Sequence, residues 1–235
     1  MNKLRNMLIA SIAIVCLSTV SWAGSMNIGV VTSMLDIDAN GTETDTLTAG
    51  GANVADASTR TKSVSEQVFT GSIFAEYTLD TRWALTGGVE ITPGKADIGG
   101  KFARTDAVLS FSGVERASQT GEPLTRAVQA TASGFGTMYV EAPLFGAFYV
   151  RAGASRMTID HGSDSYQGDI DLTGTNLGFG LKGNRNGFIY KLAYEQTDYG
   201  SFNIRTPGND VAGETSAIAG NVDTAGVRLS VGKTF

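Results

Sequence analysis

From residue 24 onward, apolar side chains recur at every second position in eight separate stretches, and none shows the 3.6-residue repeat of a helix. Strands are predicted at 26–37, 66–79, 82–93, 134–143, 147–159, 173–183, 187–199 and 223–235. Successive side chains of a strand point to opposite faces, so each stretch has two sides to account for. In 82–92 one side carries Trp83, Leu85, Gly87, Val89 and Ile91, the other Arg82, Ala84, Thr86, Gly88 and Glu90. In 187–195, Phe188, Tyr190, Leu192 and Tyr194 alternate with Ile189, Lys191, Ala193 and Glu195. In 223–235, Ala225, Val227, Leu229, Val231 and Phe235 alternate with Thr224, Gly226, Arg228, Ser230, Gly232 and Thr234. Lys233 interrupts the apolar side only near its end, where a long side chain reaches water. In 66–79, Phe69, Gly71, Ile73, Ala75, Tyr77 and Leu79 oppose Thr70, Ser72, Phe74 and Glu76.

The connections between these strands are 28, 2, 40, 3, 13, 3 and 23 residues long, so long and short alternate without exception. The short ones are Asp80-Thr81, Leu144-Phe145-Gly146 and Asn184-Arg185-Asn186. All four prolines fall in connections or at strand ends, where a missing N–H does no harm. Tight turns at one end and long loops at the other are the signature of an up-and-down transmembrane barrel. A soluble sandwich has no reason to sort its loops by parity. The expected fold is therefore all-β: an eight-stranded antiparallel barrel with short periplasmic turns and long external loops. Its continuous aromatic side faces lipid and its charged, glycine-spaced side encloses a narrow lumen, where glycine leaves room for long neighbours.

The enclosed side carries Glu76, Glu90, Glu141 and Glu195 against Arg151, Lys182, Lys191 and Arg228, four acids and four bases. Unpaired charge in a tight interior is costly, so a balanced set is what the surroundings require. The short turns place Glu141 diagonal to Arg151, and Glu195 level with Arg228, and ion pairs are expected there. Tyr77, Trp83, Phe148, Phe188, Tyr190 and Phe235 lie outward near the short turns and are expected to form an interfacial aromatic girdle.

Composition adjusts this picture at several points. Residues 1–23 have a basic start at Lys3 and Arg5, an uncharged apolar run from Met7 to Val20, and Ser21-Trp22-Ala23 before a break. That is a secretory signal peptide, and about 14 apolar residues fall short of the ~20 a spanning helix needs. Its removal takes away two bases and no acid, moving the net charge from −5 to −7, and it takes away Cys16, the only cysteine. The mature barrel, 24–235, then has no thiol to cross-link in an oxidising compartment. An acidic chain does not select nucleic acid. A single histidine, His161, excludes multi-histidine metal centres.

Three features carry the strongest resemblance to a known group: the Ser21-Trp22-Ala23 cleavage pattern, the strand pattern over 26–235, and the alternating final strand that ends in Phe235. The chain resembles the small eight-stranded outer-membrane β-barrels of Gram-negative bacteria, porin-family proteins that include the outer membrane protein A transmembrane domain and the opacity-type proteins. The resemblance implies residence in the cell outer membrane, contact with its lipid and lipopolysaccharide, and recognition of Phe235 by the barrel assembly machinery. Lys233 departs from the group's pattern, in which many members carry an aromatic there. The resemblance is architectural and assigns no activity. No peptidoglycan-binding domain is expected after residue 235.

Candidate chemistry is sparse. Asp36-Ile-Asp38-Ala-Asn40-Gly41 fits the first half of a calcium loop, but the twelfth position is Leu47 instead of Glu, and a polar loop with an Asn-Gly turn explains it as well. His161-Gly-Ser-Asp-Ser165 gathers an imidazole, hydroxyls and a carboxylate, yet contiguous loop residues rarely supply catalytic geometry. No enzyme activity and no cofactor are assigned. The segment 102–133 is expected to project as a hairpin beyond the membrane. An eight-stranded lumen is filled by side chains, so the expectation is a structural or surface-interaction role toward an external ligand of unknown identity, carried by the long loops. A small ion-conducting channel and a secreted soluble ligand-binding barrel are the alternatives.

Overall fold

A computed structural model describes residues 24–49, 52–106, 124–160, 169–205 and 214–235 of the chain. Nine strands account for nearly all of them: β1 (Gly24–Ala49), β2 (Ala52–Leu79), β3 (Thr86–Ile91), β4 (Lys95–Asp106), β5 (Leu124–Pro143), β6 (Phe148–Asp160), β7 (Ile170–Arg185), β8 (Phe188–Arg205) and β9 (Glu214–Thr234). Every pairing is antiparallel. β3 pairs with both β2 and β5, and β9 pairs with β1, so eight strands close a ring and β4 extends one wall on β5 alone. The signal segment 1–23 and the His161–Ser165 cluster lie outside the described residues.

Turn chemistry fixes the lower end. Asn186 and Gly187 have φ of 54° and 75°, the two positive values a two-residue type I′ hairpin demands. The turn is therefore one step later than Asn184-Arg185-Asn186, and β7 runs on through Arg185. The turn expected at Asp80-Thr81 is longer, spanning 80–85, with Leu79 N–H donating to the Leu85 carbonyl at 2.9 Å.

The long connections differ most from expectation. β1 and β2 stay paired as far as Ala49 opposite Ala52, so most of the expected 28-residue loop is a tall hairpin. β4 and the first half of β5 likewise pair from Lys95/Ser133 to Asp106/Leu124, a hairpin above the ring where 102–133 was expected to project. The upper part of the β1–β2 hairpin is rich in Thr, Ser and Asp and carries no apolar alternation; backbone pairing extends it once the hairpin has set the register. β2 and β3 part at Ile73/Ile91. Pro93 has no N–H to continue the ladder, and Gly94 at φ 101° turns the chain toward β5.

The wall also changes polarity along its height. In the lower part the outward side chains are apolar, and Trp83, Leu192 and Val227 are 70%, 48% and 46% exposed. Arg228 and Glu195, facing in, are 7% and 5% exposed. This arrangement overturns the secreted soluble barrel, which would bury the first set and expose the second. Higher up the sides exchange roles. Asp36, Asp38, Gln67, Asp171, Gln196 and Asp198 face out, while Ile37, Met157, Ile159, Leu172, Tyr199 and Val222 form an apolar cluster inside. A lipid-embedded lower storey thus carries a water-exposed upper storey with the core of a soluble protein.

On the outer face of the upper storey, Asp38, Asp223 and Asp198 lie directly opposite one another across β1, β9 and β8. Asn221 Nδ2 donates to Asp223 at 3.2 Å and the Gly200 N–H to Asp198 at 2.7 Å. Like charges facing across strands repel. Asp223→Asn is expected to stabilise the barrel by roughly 0.2–1 kcal/mol, read as a higher urea midpoint of the refolded protein in lipid vesicles.

Candidate functional site

The lower lumen holds the eight charges read from the sequence, and they sort into two closed rings. In the ring nearer the short turns, Lys191 bonds to Glu76 and, at 2.7 Å, to Glu141. Lys182 completes it at 3.3 Å from Glu141 and 3.9 Å from Glu76. In the ring above, Arg228 bonds to Glu90 and Glu195, and Arg151 reaches the same two carboxylates at 3.4 and 3.0 Å. Each acid bridges two bases and each base two acids, so both rings are electrically neutral. The lower ring uses only lysine and the upper only arginine, whose planar fork suits two carboxylates at once.

The register explains the sorting. Glu141 sits directly opposite Arg151, not diagonal to it, yet the expected pair is replaced. Arg151 turns to Glu90 and Glu195, and Glu141 turns to the two lysines. Glu195 and Arg228 do pair. Glycine opposite the long side chains makes the space: a Cβ on Gly178 would lie 2.6 Å from Glu195 Cγ.

Neutral groups knit the rings together. Tyr139 donates to Glu76 at 3.0 Å in the lower ring, and the Arg151 guanidinium of the upper ring stacks 3.5 Å from the centre of its phenyl face. Asn27 donates to Glu76 at 3.2 Å, and Asn176 to Glu195 at 3.3 Å and Thr197 at 3.0 Å. Phe74 packs in the same layer with Val31 and Ile189. Tyr139 and Asn176 have inward parity on strands already read as charged, and that parity was the signal that sequence reasoning passed over; Asn27 lies on β1, which carries none of the eight charges. Lys182 is the exposed member, its side chain 26% accessible at the mouth.

Above the rings, the apolar cluster of Ile37, Met157, Leu172, Tyr199 and Val222 fills the lumen. Burial pushes the Tyr199 phenol from its ordinary 10.0 up to about 12. At the outer surface, the Thr158 hydroxyl and then Arg156, 3.0 Å away, hold the Asp171 carboxyl below its usual range.

Asp36, Asp38 and Asn40 are the candidates for a calcium loop. All three lie on β1 as alternate outward residues of a paired strand, so they line up along the wall instead of converging. Asp36 accepts from Gln67 at 3.0 Å, and no metal-binding group of acids occurs among the described residues. At the lower rim Trp83, Phe148, Phe188, Tyr190 and Phe235 are exposed, while Tyr77 is half-buried beside Gly24. Leu144 and Phe145 join them, Phe145 lying 4.9 Å from Phe148 between ring centres.

No protein-family model and no curated protein matches the sequence. Among solved structures, the outer membrane protein OprG from Pseudomonas aeruginosa aligns over 91% of this chain and 97% of its own, at a TM-score of 0.51 and 13% identity. The fold is that of an outer-membrane β-barrel. AlkL is similar over 90% of both chains at 16% identity and a TM-score of 0.48. Ail of Yersinia pestis is similar over 86% of this chain and 99% of its own, at 11% identity and a TM-score of 0.37. Neither of these adds to the argument for the fold.

Two outcomes test the site. Glu195→Gln leaves both arginines short of a carboxylate and is expected to cost roughly 3–5 kcal/mol in urea unfolding from vesicles. Combined with Arg228→Met it is expected to show a coupling of about 0.5–3 kcal/mol, whereas combined with Lys182→Met the effects should nearly add. Equal coupling in both pairs would mean one eight-charge network instead of two rings. For Tyr199, the raised pKa means the fold favours the neutral phenol. Its contribution is complete below pH 10 and is lost as pH rises through about 12. Stability should fall across that window, and Tyr199→Phe should make the fall shallower.

Proposed function

We propose that the protein is an integral outer-membrane barrel with a closed lumen and a structural or surface-interaction role, its tall external hairpins presenting the recognition surface. The observation that supports this reading is that two neutral charge rings lie beneath an apolar layer inside the barrel, as in a lumen occupied by side chains. The fold supports membrane residence, and the β1–β2 and β4–β5 hairpins lift polar backbone clear of the lipid, where loops carry recognition on a rigid scaffold. Catalysis forms no part of the proposal. Lipid, lipopolysaccharide, the assembly machinery reading Phe235, and an external ligand are the proposed partners. The aromatic rim residues are proposed to sit at the headgroups of the periplasmic leaflet.

The test is planar-bilayer recording of the refolded chain. No steady conductance is expected from the unaltered protein, and Arg228→Ala should introduce leak events only where the ring is broken. A steady conductance in the unaltered protein overturns the closed lumen and favours the channel reading.

A further inference from the structure

Lys233 interrupts the apolar side of the final strand, and the two rings make no use of it. The register shows what accompanies it. Arg185, Phe188 and Lys233 lie directly opposite one another across β7, β8 and β9, all on the outer face at the lower rim. Two cations thus flank one aromatic ring, their backbones two strand spacings or about 10 Å apart. Lys233 Nζ also lies 5.3 Å from the centre of the Phe235 ring. Both cations are exposed, and the ion pairs among the described residues give neither a carboxylate. In the lumen every cation has two.

The row is held firmly. Asn184 Nδ2 donates to Thr234 Oγ1 at 3.2 Å, the Thr234 N–H donates to the Gly187 carbonyl at 2.9 Å, and the Phe235 N–H donates to the Met26 carbonyl at 2.8 Å. Immediately above it toward the lipid band, Gly183 faces Tyr190 across the same two strands, and a Cβ placed on Gly183 would touch nothing within 4 Å. Beside that notch the outward side chains are Leu181, Tyr190 and Val231, all exposed. The opposite rim has the reverse character, with Asp36, Asp38, Asp171 and Asp198 facing out.

We propose that Arg185 and Lys233, with Phe188 between them, bind the phosphate headgroup of an anionic phospholipid at the periplasmic rim, with an acyl chain lying in the notch at Gly183. Guanidinium and ammonium side chains reach from either side toward one phosphodiester, and Leu181, Tyr190 and Val231 give the acyl chain an apolar wall. Lysine at 233 in place of an aromatic then exchanges part of the girdle for a charge contact. The proposal requires that the barrel span a bilayer. It is independent of whether the lumen conducts.

The test uses the full refolded chain in phosphatidylcholine vesicles carrying trace spin-labelled phosphatidylglycerol or spin-labelled phosphatidylcholine, and reads the motionally restricted fraction of each. Phosphatidylglycerol should be preferred by about fivefold for each cation, reflecting the electrostatic attraction of a surface Lys or Arg. Arg185→Gln with Lys233→Gln should bring the ratio close to one, while Arg185→Lys with Lys233→Arg should keep most of it. A difference in gel migration between unheated and boiled samples establishes that each variant forms the barrel. Should a variant fail to form it, a salt titration of the unaltered chain replaces that arm, and the preference should fall as salt rises. Equal association of the two lipids with the unaltered chain overturns the site, as does a preference that survives the double glutamine variant or high salt.

Discussion

A charge enclosed in a membrane-spanning barrel has no bulk water to solvate it, so every lumen charge must find its opposite within reach. Eight ionised side chains here meet that demand by arranging themselves as two alternating squares. The rest of the lower storey follows from them. Glycines stand opposite the long side chains because a Cβ would collide, and Tyr139 lies between the squares because it offers a hydroxyl to one and an aromatic face to the other. The rings also tie together β2, β3, β5, β6, β7, β8 and β9, strands that are distant in sequence, so they brace the cylinder from within as the backbone ladder does from its wall.

The upper storey obeys a different solvent. Where the wall leaves the lipid, the outward positions turn to Asp, Gln and Thr and the inward ones to Ile, Leu, Met and Tyr. The backbone ladder continues unbroken through this change on most strands. What separates the two environments is only the choice of side chain on each parity.

Much of this was legible in the alternating pattern. The eight ring strands, the outward placement of Trp83, Leu192 and Val227, and the inward parity of Glu76, Glu90, Glu141, Arg151, Lys182, Lys191, Glu195 and Arg228 all follow from a period of two. The partner choice of Glu141 did not, because pairing in a lumen is decided across the ring by side-chain reach as well as along neighbouring strands. The height of the β1–β2 hairpin was also hidden, since Thr- and Ser-rich strands in water carry no apolar marker. The polarity exchange was written in the chain and went unread: in β1 the apolar residues shift from the even positions Ile28, Val30 and Met34 to the odd positions Leu35, Ile37 and Ala39. β8 and β9 make the same shift above Tyr194 and Val227.

That shift fixes a length. On β8 the outward apolar run goes from Phe188 to Tyr194, four side chains over seven residues. At about 3.4 Å per residue and a tilt near 40°, it covers roughly 16 Å along the membrane normal between its end groups. A belt this short fits a thin hydrocarbon layer better than a thick one. In a thicker bilayer the surrounding lipids would have to compress around the barrel, so hydrophobic mismatch favours the thinner membranes of a cell.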